Sequence, residues 1–381
     1  MKVLLYSHSF APNIGGVETY VMSLARGLAT DETQVVVATE TPNVQPGDAL
    51  LPFEVVRRPG LMRLCRLIAE SDILHLAGPC LGPLLMSLLL RKPAIVEHHG
   101  YQACCPNGLL LHKPDLSICD GHFLKTRYDQ CFRCEATRLN VIGSLKSVLF
   151  TAIRKKLCGA AAQNVMVSHH VAKRLELVRS RVIYHGVAHC QVEPGHTGGI
   201  VTFGYIGRMV AEKGLPVLIT AAEKLKAQNY EFRLHIIGDG PERSSLEQRC
   251  AEAGLSDRVT FTGTLTGAHL SAAVRRIDAL VVPSICEETA GLAAMEQMMR
   301  GRTVLAADVG GLRDIMDGAG ARFTPGDPVH LAQCMRELIK HPVLLRELGV
   351  RARERAQKMF RAERMAAEHR EVYIQILAAA H

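Results

Sequence analysis

Short runs of aliphatic and β-branched residues alternate along this chain with longer stretches in which apolar positions recur every three or four residues. The short runs suit strands buried on both faces, and the longer stretches have the period of a helix. A first series of strands is predicted at Val3–Ser7, Gln34–Thr39, Ile73–Ala77, Ala94–His98, Asn164–Val167 and Val182–Tyr184. A second follows at Val201–Ile206, Arg233–Ile237, Val259–Thr262, Ala279–Val282, Thr303–Ala306 and Arg322–Phe323. Strands alternating with helices predict α/β architecture, and two series predict two doubly wound parallel sheets. Between them, Glu193–Gly199 carries one Pro and three Gly and reads as a linker. The expected organisation is an N-terminal domain over 1–192, a linker over 193–199, a C-terminal domain over 200–360 and a terminal helix within 361–381. A length of 381 residues fits two domains.

Composition is that of an ordinary globular protein, with 48% hydrophobic and 22% charged residues. No apolar run reaches the roughly 18 residues that span a bilayer. The N-terminus leads from a single Lys straight into a strand, so the expectation is a cytoplasmic protein without a signal peptide. The net charge of +8 is uneven: the chain up to Cys190 holds 21 Lys/Arg against 14 Asp/Glu. In the stretch Leu145–Leu157 apolar residues recur at helical spacing and end in Arg154, Lys155 and Lys156. Such a helix fits either the inner membrane face, as a peripheral anchor, or a helix packing its apolar side on the sheet. The second is the simpler expectation. Nucleic acid is not an expected partner, since no recognition motif is present and Trp is absent.

Five of the twelve cysteines fall between Cys104 and Cys134, an insertion rich in Gly, Pro, Asp and His that breaks the alternating pattern. Cys131 and Cys134 have the two-residue spacing of a metal knuckle. Cys105 and Cys119 could complete a structural zinc site, with His112 and His122 as substitutes. A disulfide pair and free thiols remain the alternatives.

The chemistry-bearing residues gather in the second half. Glu288 and Glu296 flank a strand-to-helix junction, near the carboxyl end of a strand where open α/β sheets bind ligands. The loop Gly207–Gly214 carries Arg208 and Lys213, a fork and a point charge suited to a diphosphate. Gly310 and Gly311 open another helix start where backbone can approach a ligand.

In this order the Gly207-Arg208…Lys213-Gly214 loop, the Gly238-Asp239-Gly240-Pro241 turn, the Pro283-Ser284…Glu288…Glu296 segment and Gly310-Gly311 resemble the family 4 retaining glycosyltransferases. Pro12–Tyr20, which holds Gly15 and Gly16, the strand end Ile95–His99, and Val182–Val187 extend the resemblance to the N-terminus. The chain departs from the family pattern at His185 (Asn is usual), at Thr289-Ala290-Gly291, and at Asp314 in place of Glu. The resemblance implies a GT-B fold: two Rossmann-like domains facing across a cleft, with the terminal helix returning to the N-terminal domain. It implies acceptor binding by the N-terminal domain and nucleotide-sugar binding by the C-terminal one. It further implies transfer from a UDP- or GDP-sugar to a hydroxyl acceptor (a glycan, a small molecule or a lipid-linked acceptor at the membrane surface), as in polysaccharide biosynthesis, with no cofactor required. Catalytic roles then fall to His99, with His98 as fallback, Arg208, Lys213 and Glu288. Donor binding falls to Gly15, Gly16, Gly207, Glu296, Gly310 and Gly311. A nucleotide-sugar-binding scaffold without turnover and a nucleotide-sugar epimerase are the rival readings. A dehydrogenase is disfavoured because no Gly-x-Gly-x-x-Gly follows the first strand.

Overall fold

The computed structural model describes residues 1–43, 45–191 and 199–379 and divides into two compact units. The first comprises Met1–Asp115, Cys119–Ala188 and the chain from Met359 on. The second comprises the described residues of His189–Lys358, with Leu116–Ile118 grouped alongside them. Residues 193–198 of the expected linker lie outside the described residues.

The first unit is built on β1 (Lys2–Ser7), β2 (Gln34–Thr39), β3 (Glu54–Arg57), β4 (Ile73–Leu76) and β5 (Ala94–His98). Two short strands, β6 (Leu111–His112) and β7 (Ser117–Ile118), lie in the cysteine-bearing insertion, and β8 (Gln163–Met166) and β9 (Ser180–Val182) follow it. The sheet order is β3-β2-β1-β4-β5-β8-β9, parallel at every pairing, with Val3 opposite both Val35 and Ile73. Its helices are α1 (Gly16–Leu28), α2 (Leu61–Glu70), α3 (Leu81–Leu89), α4 (Tyr128–Ala136), α5 (Val141–Ala160) and α6 (His169–Leu175).

The second unit runs α7 (Leu215–Ala227), α8 (Arg243–Glu252), α9 (Gly267–Arg275), α10 (Leu292–Met299), α11 (Leu312–Ile315), α12 (Pro328–Lys340) and α13 (Pro342–Met359). They surround strands β10 (Thr202–Ile206), β11 (Arg233–Ile237), β12 (Val259–Gly263), β13 (Ala279–Val282), β14 (Thr303–Ala307) and β15 (Ala321–Phe323). The sheet order is β12-β11-β10-β13-β14-β15, again parallel throughout. The last helix, α14 (Ala362–Ala379), belongs to the first unit. Its Met365, Val372 and Tyr373 join Tyr20 and Leu24 of α1 and Val3 and Leu5 of β1 in one buried core.

Two expectations need correction. Strand β3 was not predicted: Glu54 and Arg57 leave only two apolar positions between them, and it pairs on one side only, as an edge strand. The simpler expectation for the basic helix is also overturned. The side of α5 that turns inward carries Ser144, Thr151 and Cys158, while Ile142, Leu145 and Leu149 face outward. Small side chains seven residues apart let α5 lie close against its neighbours α3 and α4, which leaves the bulky residues outside.

Candidate functional site

Side chains suited to binding and catalysis collect in each unit at the carboxyl edge of the sheet. In the second unit the chain crosses over between β10 and β13, so the loops leaving these neighbouring strands part to opposite sides and leave a crevice. The first loop brings Gly207, Arg208 and Lys213. The second, after β13, runs from Pro283 to Gly291 and brings Glu288. The loops are tied by the Ile285 N–H donating to the Glu212 carbonyl at 3.0 Å. Gly214, at φ +67, lies so close to Pro283 that a Cβ would stand 2.1 Å from its carbonyl oxygen. A third loop abuts the same place. The Gly311 N–H donates to the Glu288 carbonyl at 2.6 Å, and Gly310, at φ +59, leaves no room for a side chain beside it.

Lys213 Nζ reaches Glu288 Oε1 at 2.5 Å, and the Ser284 hydroxyl donates to the same oxygen. Burial alone would raise the Glu288 carboxyl, but the Lys213 ammonium beside it, with Ser284 and Arg208, holds it below its ordinary range. Burial likewise works against the Lys213 ammonium, and Glu288 more than offsets this, so its pKa is raised. Both groups therefore stay charged at neutral pH. Arg208 is exposed, with its own carbonyl fixed by the Tyr205 hydroxyl at 2.6 Å. Glu296, in the second turn of α10, is raised above the usual carboxylate range by burial, with Arg300 one turn on acting against the shift.

In the first unit the crossover falls between β1 and β4. The chain leaving β1 passes Gly15, in extended backbone, to Gly16, the first residue of α1. His99 follows the end of β5, its Nδ1 3.0 Å from His185 Nε2 and its ring edge-on to Tyr20. The neighbouring His98 is fully buried and bonded to the Asn164 amide oxygen at 2.9 Å, which makes it a core residue.

Sequence reading missed what lies beneath. Glu97 is fully buried, and its Oε2 meets His369 Nε2 at 3.0 Å, His75 Nε2 at 3.2 Å and the Tyr20 hydroxyl. His369 Nδ1 lies 2.8 Å from the Met365 carbonyl, which can only accept. With Nδ1 donating there, the bond between Nε2 and Glu97 needs one further proton. Burial works against the Glu97 carboxylate, but His369 and His75 beside it outweigh that and hold it well below the carboxylate range. His75 Nδ1 in turn meets the Tyr373 hydroxyl at 2.7 Å. The only signal in the sequence was an acid within a strand that otherwise reads as core.

These imidazoles carry a pH prediction. Burial drives His98 and His185 down to about 4 and His99 to about 3, against an ordinary 6.5. They are neutral in the fold and gain protons on unfolding once the pH is below 6.5. Their stabilising contribution is therefore present above the ordinary value and is lost as pH falls toward 4. Urea denaturation should show the first unit weakening by several kcal/mol, to order of magnitude, across that window. A midpoint independent of pH there would contradict this burial.

The cysteine insertion places Cys105, Cys119, Cys131 and Cys134 around one small cavity of about 10 Å³, with His112 and His122 also on its wall. All twelve cysteines are free thiols. In this insertion Cys119, Asp120 and His122 have donor atoms within 4.8 Å of one another, and among the described residues no three of the four thiols come that close. The Asn107 side chain links two of them: its Oδ1 accepts from Cys105 Sγ and its Nδ2 donates to Cys134 Sγ, both at 3.1 Å.

A family model described as Glycosyltransferase Family 4 matches residues 14–189, and one described as Glycosyl transferases group 1 matches residues 200–341. The 2-deoxystreptamine glucosyltransferase of Streptomyces kanamyceticus is 36% identical over 147 residues, 38% of this chain and 38% of that protein. The 2-deoxystreptamine N-acetyl-D-glucosaminyltransferase of Streptomyces fradiae is 32% identical over 183 residues, 44% of this chain and 43% of that protein. The chain thus spans less than half the length of these curated relatives. Among solved structures, sucrose-phosphate synthase from Thermosynechococcus elongatus superposes with a TM-score of 0.75 at 21% identity, covering 99% of each chain. Anabaena HepE in complex with UDP-glucose gives 0.72 at 18%, covering 98% of this chain and all of that one. At such identities these two likenesses speak for the fold, which is GT-B.

Proposed function

Because the chain belongs to the family 4 glycosyltransferases, we propose that it moves a sugar from a nucleoside-diphosphate sugar to a hydroxyl acceptor with retention at the anomeric carbon. The observation that carries this reading is the Lys213–Glu288 pair at the crossover of the second sheet, with Arg208 beside it and the Gly310-Gly311 turn against it. Departure of a nucleoside diphosphate builds negative charge on the leaving oxygen and positive charge on the sugar. Positive groups fixed at the diphosphate stabilise that separation most. Arg208 and Lys213 supply them, and the backbone N–H groups around Gly310-Gly311 add dipoles. Glu288 is then left to hold sugar hydroxyls, and Glu296 the ribose. The bond from C1 to the diphosphate breaks while the acceptor oxygen bonds C1 on the same face, and the acceptor's proton passes to the departing phosphate oxygen. No cofactor is needed for these steps.

A UDP-sugar is the donor class we favour, since HepE was solved with UDP-glucose. The first unit, with His99, is assigned to the acceptor. A panel of UDP-, GDP- and ADP-sugars tests donor binding, since a ligand that binds only the folded chain raises its Tm. A Tm unmoved by every member would oppose the reading.

For the cysteine insertion we propose one structural zinc held by Cys105, Cys119, Cys131 and Cys134. The four thiols share a cavity wall, and a tetrathiolate site would staple the irregular chain around Cys105 and Cys119, whose strands are two residues long, to α4. Binding would draw the sulfurs closer than they stand. Elemental analysis is expected to find about one zinc per chain, lost in the Cys131→Ser/Cys134→Ser variant. Metal-free protein whose cysteines all titrate as free thiols would remove the site.

A further inference from the structure

The outward side of α5 carries Val141, Ile142, Leu145, Leu149, Phe150 and Ile153, all exposed, with Ile142 at 65% and Leu145 at 63%. An α-helix turns about 100° per residue, so these six share one side of the 20-residue helix, opposite Ser144, Thr151 and Cys158. Lys146 and Lys156 stand within the stripe, both exposed. Helix α3 packs on α5 and α2 packs on α3. These neighbours add exposed apolar side chains, Leu89 at 75% and Met62 at 89%, together with exposed Arg63, Arg66 and Arg91. Across α2, α3 and α5 the only acidic residue is Glu70. Close packing through small residues accounts for the inward side of α5, but nothing in the folding of the first unit requires bulky apolar residues on the outward side. Contiguous exposed apolar surface of this kind marks an interaction site.

We propose that this face docks on an anionic lipid bilayer. The amphipathic α5 lies in the plane of the interface with its apolar side among the acyl chains, and the lysines reach to the headgroups. No helix among the described residues is long and apolar enough to cross a membrane, so attachment is to one leaflet. Charge selects the lipid. Cations that outnumber acids attract anionic headgroups, at about 1 kcal/mol or roughly fivefold in partitioning per residue near the surface. The same charges argue against a second copy as occupant: a two-fold axis through the middle of α5 would set Lys146 against the partner's Lys156 across an apolar contact.

The experiment is sedimentation of the full-length protein with vesicles of phosphatidylcholine alone and of phosphatidylcholine mixed with phosphatidylglycerol. Binding to the anionic vesicles is expected, weaker at high salt, with little binding to the neutral ones. Leu145→Glu/Leu149→Glu should abolish it, and Lys146→Ala/Lys156→Ala should lower partitioning by about 20- to 30-fold. Because all four positions are exposed, both variants should melt like the parent, which separates loss of docking from loss of fold. Absence of binding at low salt overturns the proposal, and so does undiminished binding by the glutamate variant. A concentration-dependent dimer dissolved by Leu145→Glu/Leu149→Glu, with no vesicle binding, would assign the face to self-association instead.

Discussion

Arg208→Ala is expected to lower turnover by about 10²-fold or more while leaving the Tm close to that of the parent. This is the usual scale for removing a charge partner of the transition state. Arg208 is exposed, so its loss empties no packed space. Lys213→Ala should cost a comparable factor in turnover and also destabilise the second unit. Its ammonium is the partner of a largely buried carboxylate, and the roughly 3–5 kcal/mol typical of breaking a fully buried pair is the upper bound. The two variants therefore separate: equal catalytic damage, unequal stability. Near-parental turnover in both would sink the diphosphate assignment. Equal melting temperatures would mean that the Lys213–Glu288 pair does not stabilise the fold.

Glu97→Ala is expected to have the largest effect on stability. His369, Tyr20 and His75 converge on its carboxylate, all without access to solvent. Truncation would leave these three buried groups without their shared partner, at about 3–5 kcal/mol. For a unit of this size that corresponds to a fall in Tm of roughly 10 °C. Since His369 and Tyr373 lie on α14, the same change should loosen the terminal helix. Hydrogen exchange over residues 362–379 is the direct check. Unchanged stability and protection would mean that the network is not what fastens α14.

Much of this fold was legible because parallel strands buried on both faces are written as uninterrupted aliphatic runs: Val3–Leu5, Val35–Ala38 and Ala279–Val281 leave little choice. Strand β3 was not, since an edge strand four residues long with charged ends resembles a loop. The facing of α5 was hidden for a different reason. Periodicity reveals that a helix has an apolar side, and only the packed structure reveals whether that side points in. At the candidate site, Arg208, Lys213, Glu288 and the glycine turn could be singled out because each sits just beyond a strand. What could not be read was that Lys213 and Glu288, 75 residues apart, pair directly with help from Ser284. Nor could the Glu97 network be read, because its partners come from α1, β4 and α14, brought together only by the closing of the core.

The central claim is that this constellation transfers sugar with retention. Incubating the full-length protein with UDP-glucose and related nucleotide sugars, and following nucleoside diphosphate release together with the anomeric configuration of the product by NMR, tests it most directly. The expected result is release of the diphosphate with the donor's configuration preserved in the product, lost in Arg208→Ala. Saturable donor binding without release across the panel, or a product of inverted configuration, would contradict it.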